Sequence, residues 1–343
     1  MHWREFAVLA PAIVFVGGLF WWLPRMRRGR LYFGVTTDAS FPLSPEGRRL
    51  STQYRLAVTG LCLAALAVSA AALQTRWSHL LGGVVLLQAF GSLAAWSWAW
   101  SRTRKHAAPP PPVRVASLES EEEPLALWLT AALAPLTMLL AAALYLYSVY
   151  DTLPQRYPVH WNASGAADAF AAKSLRTVFF GSIVGTGVLL LLALNVWMLL
   201  VWTRRGPDGR RSWSARFLKA NLRMLVILSW GLGLLFSAVS VVPVLPANWS
   251  GGVFLAALVL PLTLIAVTML PMMKLAEEPT EESDKTPDEC WKLGFVYFNR
   301  EDPALVVPKR AGLGYSFNFA HPQAWGLIGA MIFLVAGPLL LML

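Results

Sequence analysis

Eight apolar runs alternate with polar stretches along this chain, at roughly residues 5–23, 56–74, 79–100, 125–149, 176–202, 221–244, 252–273 and 324–343. Each has about the twenty residues that an α-helix needs to cross some 30 Å of hydrocarbon. The pattern predicts an all-α polytopic membrane protein with about eight transmembrane helices. Four regions follow from the spacing: a three-helix part with its arm and linker over 1–124, a four-helix part over 125–273, a cytoplasmic segment over 274–323 and a last helix over 324–343. The first run follows Met1-His-Trp-Arg-Glu5 and ends at Trp21-Trp-Leu-Pro-Arg25. A cleavable signal is basic first and closes on small residues, so this run reads as a retained span.

Basic residues orient the helices. Alternate loops on one side hold 24 of the 29 Lys and Arg residues, while the other side holds Arg4, Arg76, Arg156, Lys173 and Arg176. The positive-inside rule then places both termini outside, together with the 150–176 loop. Tryptophans such as Trp21, Trp22, Trp96, Trp98 and Trp100 fall at inner span ends, and Trp77, Tyr145, Tyr147, Tyr150 and Trp249 at outer ends. Most of these read as interfacial anchors.

Three inner segments differ in character. Pro24, Pro42, Pro45 and many arginines over 24–55 predict an extended arm lying on anionic headgroups. Residues 101–124 run from Pro109–Pro112 into Glu119 and Glu121–Glu123, a semi-rigid or disordered linker. The 274–323 segment opens with acidic residues and then changes. Gly294-Phe-Val-Tyr-Phe298, Ala304-Leu-Val-Val307 and Tyr315-Ser-Phe-Asn-Phe319 read as three strands of a small β-meander, with 299–303 and 309–314 as turns.

Composition agrees with the pattern: 56% of residues are hydrophobic and 14% charged, against about 25% charged in an average soluble domain. The net charge of +10 reports cytoplasmic loops, and no basic stripe accompanies a recognition motif, so nucleic acid is not an expected partner. Cys62 and Cys290 fall in different compartments on this map, which argues against a disulfide. No Asp, Glu, Lys or His lies mid-span. Gln88 and Asn195 are the most polar intramembrane residues, and they read as interhelical hydrogen-bond partners. Proton pumps and ion-coupled transporters carry ionisable groups near the midplane, so this pattern disfavours them. The chain also lacks a phosphate loop, a His-Glu-x-x-His and a Gly-x-Ser-x-Gly. No cofactor is expected.

Polar chemistry concentrates in one place, Leu153-Pro-Gln-Arg-Tyr-Pro-Val-His-Trp-Asn-Ala-Ser-Gly-Ala-Ala-Asp168, closing with Lys173. A structural account has Pro154 and Pro158 keeping the chain extended, Asn162–Gly165 forming a turn, and Asp168 capping a short helix that feeds the fifth span. A binding account takes His160, Trp161, Asn162, Asp168 and Lys173 as ligand contacts, with Tyr147 and Tyr150 lining the same surface. A metal account would use His160, Asp168 and Asp151, but without paired spacing. No nucleophile with an orienting partner can be named, so no catalytic residue is assigned.

This loop resembles the signature of a bacterial membrane-protein family that includes the SdpI immunity protein. The matching residues are Leu153-Pro154, Pro158, His160-Trp161-Asn162, Gly165, Asp168 and Lys173. Cys290 through Phe319 also resembles a C-terminal module of unknown function found in related proteins. The resemblance implies a protein of the bacterial cytoplasmic (inner) membrane that protects the cell from a membrane-active peptide. The expected role is therefore non-enzymatic: the outer loop recognises an amphipathic peptide or lipid-like ligand. Two other readings stand beside it. One is a membrane-embedded enzyme using His160 and Asp168 as acid–base or metal ligands, and the other is a sensor whose inner meander recruits a cytoplasmic regulator. The lipid bilayer is a partner in all three.

Overall fold

The computed structural model describes residues 3–26, 30–72, 81–109, 123–161, 167–202, 215–245, 286–311 and 314–340, with helical positions at 252–253, 256, 259–260, 263–264 and 267–268. Four helical stretches among these are long and apolar enough to cross a membrane: Pro45–Ala72, Leu125–Ser148, Leu175–Val201 and Leu218–Val244. Leu9–Arg25 and Pro322–Leu334 are shorter apolar helices. The chain is a predominantly helical membrane protein with small two-stranded sheets. It forms two compact units. The first comprises Met1–Leu118, Met273–Glu301 and Pro308–Asn318; the second comprises Glu119–Met272, Asp302–Val307 and Phe319–Leu343.

Three helices build the first unit: α1 (Trp3–Trp22), α2 (Pro45–Ala72) and α3 (Leu81–Thr103). Gln88 does join two helices, donating from Nε2 to the Ile13 carbonyl at 3.0 Å. The same carbonyl receives the Cys62 thiol at 3.8 Å, and Gly17 leaves room, since a Cβ there would lie 3.0 Å from both side chains. Cys62 and Cys290 are both free thiols.

At one end of these helices, Tyr32, Phe33, Leu50, Tyr54, Val58, Trp96 and Ala99 form a buried aromatic core. Phe33 sits edge-on or tilted to Tyr54 (5.2 Å) and Trp96 (5.0 Å). The 24–55 segment is therefore not an extended arm. Leu31–Tyr32 (β1) and Val35–Thr36 (β2) form an antiparallel hairpin, and α2 begins at Pro45, well before its apolar run. The arginines hid an apolar Leu-Tyr-Phe-Gly-Val insert, whose side chains gain more from burial than from lying on headgroups.

The meander expectation is also corrected. Trp291–Lys292 (β5) pairs with Val296–Tyr297 (β6) as its own hairpin, and Tyr297 of the first expected strand bridges Asn318 of the third, in parallel, whereas a meander pairs each strand with the next. Val306–Pro308 (β7) and Tyr315–Phe317 (β8) are the remaining short strands. Both hairpin turns, Phe33-Gly34 and Leu293-Gly294, use positive φ, and they meet nose to nose: a Cβ on Gly34 would fall 2.8 Å from the Gly294 carbonyl. Only glycine allows that approach.

A buried cation ties these pieces. Arg310, with its side chain 1% exposed, pairs with Asp288 and donates to the Gly34 carbonyl (3.0 Å) and the Thr286 carbonyl. Asp288 in turn accepts from the Thr36 amide (3.1 Å) and hydroxyl (3.0 Å). Such a pair offsets its desolvation only because its remaining donors and acceptors are also bonded.

In the second unit, α4 (Leu125–Leu133) and α5 (Leu136–Ser148) form one apolar stretch broken at Ala134-Pro135. Pro135 cannot donate to the Ala131 carbonyl; Trp230 does so instead, at 3.1 Å. The central helix is α6 (Leu175–Val201), against which α4, α5, α7 (Ala215–Val241) and the C-terminal helix α8 (Pro322–Leu340) pack. Gly181 and Gly185, four apart, face Ser240 and Phe236 of α7; small residues at that spacing let membrane helices approach closely. Asn195 donates to the Leu191 carbonyl of its own helix at 2.7 Å. The acidic stretch at 277–284 and the Pro109–Glu122 linker lie mostly outside the described residues.

Candidate functional site

The polar loop is a β-hairpin. Its first strand, β3 (Arg156–Trp161), pairs antiparallel with β4 (Ala167–Ala172). The β3 sequence Arg-Tyr-Pro-Val-His-Trp is rich in strand formers. The β4 sequence Ala-Asp-Ala-Phe-Ala-Ala has helix-forming alanines, and pairing overrides that local preference. The expected cap at Asp168 is therefore corrected: Asp168 lies within β4, and α6 starts at Leu175 behind a Ser174 N-cap. Ser174 Oγ accepts from the Thr177 amide at 3.2 Å, and Thr177 Oγ1 accepts from the Ser174 amide at 2.9 Å, a reciprocal capping box.

Register is irregular at the residues of interest. Pro158 opposes Phe170, His160 opposes Ala169, and Trp161 opposes Ala167. Val159 on one strand and Asp168 on the other are thus left without a cross-strand partner, flanking the His160–Ala169 pair. Two opposed bulges cancel in register but twist the hairpin locally. His160 and Asp168 are brought to adjacent positions of one ladder. Asn162 and the turn through Gly165 lie outside the described residues, and of His160, Trp161 and Asp168 only the backbone is described.

Lys173 has a defined structural task. Its ammonium donates to the carbonyls of Tyr150 (3.3 Å), Asp151 (3.4 Å) and Leu153 (3.2 Å) and lies 5.1 Å from the Tyr150 ring centroid. Those carbonyls belong to the 3-10 turn Tyr150–Thr152 that ends α5 and to the residue after it, where helical partners run out and a cation is favoured. The Lys173 amide also bonds the Gln155 carbonyl at 2.9 Å, extending the ladder. Tyr150 stacks on Phe179 of α6 (6.5 Å, 13° between planes). Lys173 and Tyr150 therefore hold the hairpin to the ends of two helices.

Beneath the hairpin, Leu146, Leu153, Tyr157 and Val178 form a buried cluster. Tyr157 was not singled out from sequence, although its place beside Pro158 in the signature was the available signal. It is 3% exposed, its hydroxyl has no hydrogen-bond partner among the described residues, and burial pushes its pKa up to about 12. Above this base the hairpin presents apolar side chains: Phe170 is 47% exposed and Val159 36%. The Arg156 guanidinium lies over the Phe170 ring at 5.3 Å. Tyr147, on the last turn of α5, is 71% exposed. Of the residues expected to bind, Tyr147 is thus free to do so, while Tyr150 and Lys173 are engaged in support.

Comparison with known families places the hairpin within a recognised module. Residues 137–186, covering α5, the hairpin and the start of α6, match a domain of unknown function, DUF1648. Residues 300–325 match a family of unknown function, DUF5808. No curated protein matches the chain. No solved structure matches it either. The two matches are similarities of parts, and neither carries an activity.

Proposed function

We propose that this chain is a multi-pass protein of a bacterial cytoplasmic membrane, crossing it about eight times with both termini and the 150–176 hairpin outside. We infer further that the hairpin recognises an amphipathic, membrane-active peptide, and that the protein serves immunity rather than catalysis. The observation that supports this reading is a braced hairpin that exposes Phe170, Val159 and a ring-stacked Arg156 instead of burying them. A rigid, partly apolar ridge with a fixed cation suits an amphipathic ligand, because little ordering entropy remains to be lost on binding. Tyr147 adds a further amphipathic contact. His160, Trp161, Asn162 and Asp168 would set specificity.

The test is a triple variant, Tyr147→Ser, Val159→Ser and Phe170→Ser, in cells challenged with an amphipathic Leu/Lys peptide. All three side chains are exposed, so expression and thermal stability should stay near wild type while protection and peptide binding fall together. A triple variant that protects and binds like wild type would remove the hairpin from the binding role.

A further inference from the structure

Two arginines share one tryptophan where α1 ends. The Arg25 guanidinium lies 4.4 Å from the Trp22 ring centroid and 5.6 Å from that of Trp21; Arg55, from α2, lies 4.6 Å from the Trp21 centroid. The two like charges gathered around one ring repel each other, while each is also drawn to a ring face by cation–π attraction. Neither arginine has a carboxylate partner or a hydrogen bond among the described residues. The Arg55 Nε–H is buried and has no hydrogen-bond partner among the described residues, which leaves a donor turned toward this site unsatisfied.

The surroundings fix this pair in place. Tyr54, next to Arg55, donates its hydroxyl to the Phe20 carbonyl at 2.8 Å, and so ties α2 to the last turn of α1. Tyr54 itself is fully buried in the aromatic core, and Pro24, beside Arg25, is buried too. Trp21 and Trp22 sit 6.4 Å apart and tilted by 39°, forming a half-buried platform; resting on the topology proposed above, it lies at the level where membrane tryptophans meet headgroups.

We propose that Arg25 and Arg55, on the Trp21/Trp22 platform, form a binding site for the phosphate of an anionic membrane lipid. Guanidinium forks match phosphate oxygens in bidentate geometry, and a negative charge between the two cations removes their repulsion. The tryptophans supply an apolar floor for the glycerol and the first acyl carbons. The shared chemistry, an oxyanion bearing several acceptors, would also suit free phosphate. The platform favours a lipid because free phosphate has no apolar part to place on it.

The full chain in dodecyl maltoside tests this, by native mass spectrometry and thermal unfolding with added phosphatidylglycerol, phosphatidylcholine or inorganic phosphate. Phosphatidylglycerol should be retained and protective, with phosphatidylcholine and phosphate much weaker. Replacing both arginines, Arg25→Gln with Arg55→Gln, should weaken phosphatidylglycerol binding by about tenfold or more. Arg25→Gln alone alters an exposed side chain, keeps the fold, and should lose part of the effect. The pair Arg48→Gln and Arg49→Gln, also exposed and on the same helix, removes equal charge and should leave binding unchanged. Wild-type binding by the Arg25/Arg55 variant overturns the site, as does an equal loss in the Arg48/Arg49 control. Equal protection by inorganic phosphate overturns the lipid assignment.

Discussion

At the scale of single residues, the hairpin base shows how an ordinary side chain can matter through what it lacks. Tyr157 buries a hydroxyl that no group among the described residues accepts from, beneath a hairpin that Lys173 braces. Removing an unpartnered buried hydroxyl relieves a desolvation cost of about 1–3 kcal/mol, so Tyr157→Phe should be neutral or stabilising in thermal unfolding. The pH dependence has a definite sign. Burial raises the folded pKa from 10.0 to about 12, so the neutral phenol is the form the fold favours. Its contribution is present in full below pH 10 and is lost as pH climbs toward 12. Stability of the Tyr157→Phe variant should therefore fall less steeply over that window. A steeper fall, or a clear loss at neutral pH, would mean that the hydroxyl has a partner. Tyr157 stands next to Pro158 of the signature without belonging to it, and its burial was not legible, because that depends on Val178 of another element.

Among elements, the instructive case is the passage from β4 into α6. Asp168, followed by alanines and a lysine, has every local mark of a helix start. Cross-strand pairing with Arg156–Trp161 claims those residues first, and the start moves to Ser174. The expected consequence is measurable. Ser174→Ala should cost about 0.5–2 kcal/mol of unfolding free energy, whereas Asp168→Ala forfeits no cap and should cost less. The reverse order would return the helix start to Asp168. The same logic runs through the inner hairpins: Phe33-Gly34 and Leu293-Gly294 look unremarkable in sequence, and only their mutual approach explains both glycines.

For the whole molecule, the testable statement is topology. The Lys/Arg asymmetry predicts that Gln155 and Glu301 lie on opposite faces of the membrane. Both are exposed, so cysteine placed at either, in a background free of Cys62 and Cys290, should be reactive. An impermeant thiol reagent applied to intact cells should label position 155 and spare position 301 until the cells are opened. Labelling of both from outside would break the eight-span alternation and, with it, the assignment of the hairpin to the outer face.

Hydropathy alone determined that this is a helical membrane protein and placed the long apolar helices Leu125–Ser148, Leu175–Val201 and Leu218–Val244, because bilayer thickness sets a length that a local window can read. The polar loop between two helices was equally plain. Its hairpin form, the role of Lys173 as a brace on three carbonyls, and the burial of Tyr157 were decided by tertiary contacts. So was the fate of the arginine-rich segment. Thr36 meets Asp288, 252 residues away, and Gly34 meets Arg310, 276 residues away, so the pairs that fold it lie far beyond any local pattern. Periodicity reports what a segment prefers against a uniform solvent; which polar group accepts from which donor depends on neighbours that only the folded chain brings together.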